Sequence, residues 1–105
     1  MELPNLSYID QLSAGNISFK EKLITVIKEE FPDEKEVYLA NIQTKNYKEA
    51  AENVHKIKHK ISILGLEKSY EIARTFENNL KEGNTDLKED FKNILHVISE
   101  YLITL

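Results

Sequence analysis

The stretch NYKEAAENVHKIKHKISILG, Asn46 to Gly65, decides how this chain folds. Tyr47, Ala50, Val54, Ile57, Ile61 and Leu64 recur at the spacing of one amphipathic helix face. Asn46 with Glu49 three residues on marks the start of that helix. Gly65 suits the position just past its end, and Leu66 the apolar contact expected beyond. At about 100° per residue, Ala50, Ile57, Ile61 and Leu64 share one side, and His55 falls roughly 150° from their centre. His55 is therefore expected on an exposed flank, with Lys58 and His59 as its neighbours one turn further on.

The same periodicity extends in both directions. Leu6, Ile9 and Leu12 suit a short helix that Ala14-Gly15-Asn16 ends. Ser18 and Glu21 form a capping-box pattern ahead of Phe19, Leu23, Val26, Ile27 and Phe31. Pro32 interrupts there, so Val37, Tyr38, Asn41 and Ile42 read as a third helix or a bent extension of the second. Downstream, Leu66, Tyr70, Ala73, Phe76 and Leu80 share one face until Gly83-Asn84. Thr85 or Asp86 would cap a last helix carrying Leu87, Phe91, Ile94, Ile98 and Leu102. No stretch alternates cleanly enough for a strand. Four long amphipathic helices with short loops predict an all-α antiparallel up-down four-helix bundle with a short extra N-terminal helix.

Composition narrows the function. A length of 105 residues allows one domain, 1–105, with no room for a second core. The absence of Cys excludes disulfide scaffolds, thiolate-bound zinc and thiol catalysis. A net charge of −4 argues against nucleic-acid binding. No apolar run approaches a membrane span, and Met1-Glu2-Leu3-Pro4 lacks the basic start of a signal peptide. A cytoplasmic monomer is the expectation, and the Lys-, Ile- and Asn-rich composition points to a bacterial source. The charge is unevenly spread: residues 45–68 hold six Lys and three Glu, a basic segment on an acidic molecule. An anionic target, or simply a solvated helix face, accounts for it.

An exposed imidazole followed one turn later by Lys is a workable phosphoryl acceptor. Imidazole titrates near neutrality, so its unprotonated nitrogen is available as a nucleophile, and a nearby ammonium offsets incoming negative charge. The run His55-Lys56-Ile57-Lys58 through Leu64-Gly65-Leu66 resembles the signature of histidine-containing phosphotransfer domains. That signature has Lys three residues after the His, and Leu-Gly nine and ten after it. Tyr8-Ile9-Asp10-Gln11-Leu12 and the helix from Ser18 to Phe31 are similar to the family's opening. Phe76-Glu77 falls where the family places a polar residue facing the histidine.

The resemblance covers nearly the whole chain, and it implies a phosphorelay intermediate of two-component signalling. His55 would be the phosphoacceptor through Nε2, and Lys58 would hold the phosphoryl group or the partner's acidic pocket. Glu77 would orient the ring through Nδ1, and Gly65 would be structural. Partners would be response-regulator receiver domains, or a hybrid histidine kinase. The resemblance further implies a docking surface combining the basic flank (Lys56, Lys58, Lys60 and Lys48) with an apolar patch drawn from Ile63, Ala51, Ile9 and Leu12. No cofactor is expected on the chain itself; Mg2+ would come with the receiver. No Walker loop or Gly-rich phosphate cradle is present, so the chain is expected to be no enzyme and no autokinase.

Two departures stand out. His59 and Lys60 occupy the positions where the family usually has Gly and often Ser. His59 would swing aside, add a donor to the phosphoryl group, or compete as acceptor. The His55/His59 spacing also invites zinc, with Glu52 or Glu77 as a third ligand. The zinc-protease and di-iron sequence patterns are absent, and no metal site is assigned from the sequence. His96, beside Leu95, is read as structural or surface. The alternative from another class is a non-phosphorylated helical-bundle adaptor.

Overall fold

A computed structural model describes residues 2–105 of the chain. Those residues form five helices and no strand: α1 (Ser7–Ser13), α2 (Ile17–Gln43), α3 (Tyr47–Ile63), α4 (Glu67–Lys81) and α5 (Lys88–Ile103). The central helix α3 packs most extensively against α4 and α2, α1 leans on α2, and α5 meets α4 and α2. One apolar core runs between the helices, with Val54, Ile57 and Ile61 of α3 fully enclosed as their spacing predicts. No helix among the described residues is long and apolar enough to cross a membrane.

Pro32 does not divide the second helix. α2 runs unbroken for 27 residues with Pro32 inside it. A mid-helix proline costs about 3 kcal/mol through a lost hydrogen bond and ring crowding. Phe31 and Tyr38 on either side of it are each 1% exposed. Burying two such side chains contributes about 1.5–3 kcal/mol apiece, enough to hold the helix through the break. The face of α2 also differs from the expected stripe: Phe19 and Val26 are exposed, while Ile27 and Phe31 are buried.

Two helix starts shift as well. Asn16, not Ser18, caps α2, accepting the Phe19 N–H at 3.0 Å. Gly15, at φ +84°, turns the chain early and places Asn16 at the cap. The last helix opens at Lys88, not at Thr85 or Asp86. Asn84 Oδ1 takes the Asp86 N–H at 2.8 Å, which commits those residues to the preceding turn.

The N-terminal segment is tied to the α3–α4 corner. The Asn5 N–H donates to the Leu64 carbonyl at 2.9 Å, and the Asn5 side chain lies over Gly65. Gly65 has φ +77°, and a Cβ there would stand 2.6 Å from Asn5 Nδ2. Glycine is thus required twice, for the left-handed turn and for the close approach. Glu2 spans the start of α4, its carboxylate accepting from Lys68 N–H at 2.8 Å and Ser69 N–H at 2.9 Å. These are helix-start donors with no partner inside the helix.

Candidate functional site

Position 55 of α3 turns outward, as the helical angle requires, and the His55 side chain is 54% exposed. Its Nδ1 lies 3.0 Å from Glu77 Oε2 on the neighbouring helix α4. Glu77 is buried, and its other oxygen meets Lys58 Nζ at 2.9 Å. Lys81, one turn along α4, approaches Oε2 at 3.7 Å.

Burial pushes the Glu77 carboxyl up, but the hydrogen bond and charge of Lys58, followed by those of His55, outweigh it. The group is held below the ordinary carboxylate range and is ionised at neutral pH. An ionised carboxylate only accepts hydrogen bonds, so Nδ1 of His55 carries the proton. In the neutral ring the lone pair then resides on Nε2, the nitrogen away from Glu77.

His59 stands beside that nitrogen. The two Nε2 atoms are 3.4 Å apart, and the rings meet edge to face with centroids 5.0 Å apart. With Nε2 of His55 as acceptor, His59 is the donor in this long contact. Next to His55 lies a groove of about 710 Å3, lined by Lys48, Ala51, Glu52, Lys56, Glu77 and Lys81. Lys48, Lys56 and Lys81 are exposed on its rim.

Several other residues singled out in the sequence stand differently from expectation. Lys60 is buried, and its Nζ pairs with Glu30 at 3.0 Å and Glu34 at 3.0 Å on α2. It faces another side of α3 and cannot belong to a partner-facing basic flank. Ile9 is fully enclosed in the core, because α1 lies against α2 and needs its one apolar row for that contact. Ile63 is partly buried against the core. Ala51 is 2% exposed, so it shapes the wall of the groove and offers little adhesive surface. Leu12, by contrast, is 47% exposed.

Lys58 also departs from its expected posture. Its side chain lies down on α4, 12% exposed, with Nζ 5.7 Å from the Tyr70 ring centroid as well as on Glu77. Its charge reaches His55 through the carboxylate between them. His96 is exposed, 3.9 Å from Glu100. Sequence reasoning passed over Lys81, although its spacing of four from Glu77 is the usual helical ion-pair signal.

This arrangement can supply a rigidly held imidazole with its nucleophilic nitrogen outward and a compensating anion behind it. Comparison of the chain with protein-family models, with curated proteins and with solved structures finds no match.

Proposed function

We propose that this chain is a histidine-containing phosphotransfer domain, with α2 to α5 as an antiparallel up-down four-helix bundle and α1 as a short addition at its start. The observation that carries this reading is the 3.0 Å contact between Nδ1 of exposed His55 and buried, ionised Glu77. Support for the bundle comes from the connections: Thr44–Asn46, Leu64–Leu66 and Glu82–Leu87 are all short between long helices.

In the proposed reaction Nε2 of His55 attacks the phosphorus of a receiver's aspartyl phosphate. The N–P bond forms as the bond from phosphorus to the aspartyl oxygen breaks, and the aspartate leaves as a carboxylate. The ring gains positive charge as its lone pair is used, and Glu77 offsets that charge through Nδ1–H. Lys58 keeps Glu77 ionised and in place, which makes it a positioning residue. Mg2+ and the remaining acidic groups belong to the receiver, in a transfer governed by alignment and electrostatics. The cationic rim of Lys48, Lys56 and Lys81 complements such an acidic pocket. A second receiver takes the phosphoryl group by the reverse steps.

The test is incubation of the purified chain with a panel of phosphorylated receiver domains. Acid-labile, base-stable phosphate on His55 is expected, absent in His55→Gln. Because the ring is half exposed, that variant should melt within a few degrees of the parent. Failure to label with every receiver tried would leave the adaptor reading in its place.

A further inference from the structure

We propose that His55 and His59 together form a binding site for a single tetrahedral divalent transition cation, with Zn2+ as the ion of best fit. The site is specified by one distance. Zinc binds imidazole nitrogen at about 2.0–2.1 Å with tetrahedral angles, which sets two nitrogens about 3.3–3.4 Å apart. The Nε2 atoms of His55 and His59 are 3.4 Å apart, both on the exposed flank of α3. Cis ligands of a square-planar ion at similar bond lengths would need about 2.9 Å, a poorer match.

Glu77 supplies a second, independent feature of such a site. Zinc-bound imidazoles as a rule donate their other ring N–H to a carboxylate or carbonyl, which fixes the tautomer and makes the ligating nitrogen more basic. His55 has this arrangement without any metal, its Nδ1 on Glu77 Oε2 at 3.0 Å. Zinc would take the His55 lone pair directly, and His59 would turn from hydrogen-bond donor into second ligand by a change of tautomer, its Nε2 proton passing to solvent while Nδ1 takes one up.

No group of three or more His, Cys, Asp and Glu among the described residues is arranged to hold a metal. The two remaining positions of the tetrahedron therefore go to water, and the ion is exchangeable, unlike one in a closed four-ligand site. The consequence for transfer rests on the phosphotransfer reading: zinc and a phosphoryl group need the same electron pair on Nε2. Bound zinc would hold His55 unphosphorylated, and a phosphorylated His55 would bind no zinc.

The experiment is a zinc sulfate titration of the full, tag-free chain in a non-chelating buffer, followed by calorimetry and by the 15N resonances of the histidine rings. One equivalent should bind, with the Nε2 signals of His55 and His59 shifting together and those of His96 unmoved. His59→Gln and His55→Gln should each weaken binding at least ten-fold, and Glu77→Gln about ten-fold, while His96→Gln leaves it unchanged. Circular dichroism of each variant checks that the helices persist. Saturating zinc should also block phosphorylation of His55 by phosphoramidate, a small donor that needs no receiver. Binding that survives His59→Gln, or ring signals that do not move at millimolar zinc, would overturn the site. Zinc bound at both rings with phosphoramidate labelling undiminished would overturn the exclusion. A chain that binds zinc as described yet accepts phosphate from no receiver would sink the relay alone.

Discussion

Glu77 Oε2 lies 3.0 Å from Nδ1 of His55, although the two residues sit on different helices, with one side chain 10% exposed and the other 54%. The pair joins a buried anion to a surface imidazole. Lys58 on the second oxygen lets the carboxylate stay charged despite its burial.

Replacing Glu77 with Gln removes the anion and keeps the shape. The transfer rate to and from a receiver should fall about ten-fold, since the ring loses both its tautomer preference and its compensating charge. Histidine 15N spectra should show the Nδ1-protonated form of His55 giving way to a mixture. An unchanged rate with an unchanged tautomer would remove Glu77 from the mechanism.

Lys60 should behave as a structural residue. Lys60→Ala leaves Glu34 half-buried without its cation, and urea unfolding should register a loss of about 1–2 kcal/mol, less than for a fully buried pair because Glu30 is exposed. Lys60→Met restores the apolar stem and should recover part of that loss. Transfer by the folded fraction should not change. A ten-fold drop in rate at equal stability would return Lys60 to the docking surface.

The Tyr38 hydroxyl is buried with no hydrogen-bond partner among the described residues, and its ring lies edge to face against Phe91 at 5.0 Å. Burial, with the nearby Glu89 charge, pushes its pKa up. Tyr38→Phe keeps the aromatic contacts and removes the unsatisfied group, so stability should hold or rise by up to about 1 kcal/mol. A marked loss in denaturant melts would mean that the hydroxyl has a partner in solution.

Glu2 ties the N-terminal segment to α4, and its stability contribution should follow pH. Burial pushes its carboxyl up; the N–H groups of Lys68 and Ser69 and the Lys68 charge pull it down by more, to below 4.5. A folded pKa lower than the unfolded one means stability present above about 4.5 and lost as pH falls through the folded value. Glu2→Gln should therefore melt below the parent at pH 7, with the gap closing under increasing acid. A gap that stays constant down to pH 2 would show that the carboxylate charge contributes nothing.

Helix positions and the outward direction of His55 were legible in the chain, because both depend on spacing along one helix. The core stripe of α3, the turn at Gly65 and the short α1 follow from periodicity and from where glycine stands. The run through Pro32 was not legible, since local backbone rules oppose it and only burial of Phe31 and Tyr38 outweighs them. The lysines of α3 show the same division. Lys56, Lys58 and Lys60 are alike in sequence, yet one stays in water, one lies on Glu77 and one pairs with Glu30 and Glu34.

The sequence by itself determined the core stripe of α3 and which way His55 faces, because those are properties of a single helix and its repeat. Only the tertiary structure decided that Glu77 is buried, that two lysines are consumed by ion pairs, and that Ile9 belongs to the core. Each of those outcomes depends on which side chain a neighbouring helix brings within reach, and a long flexible ammonium goes wherever a partly buried carboxylate awaits it.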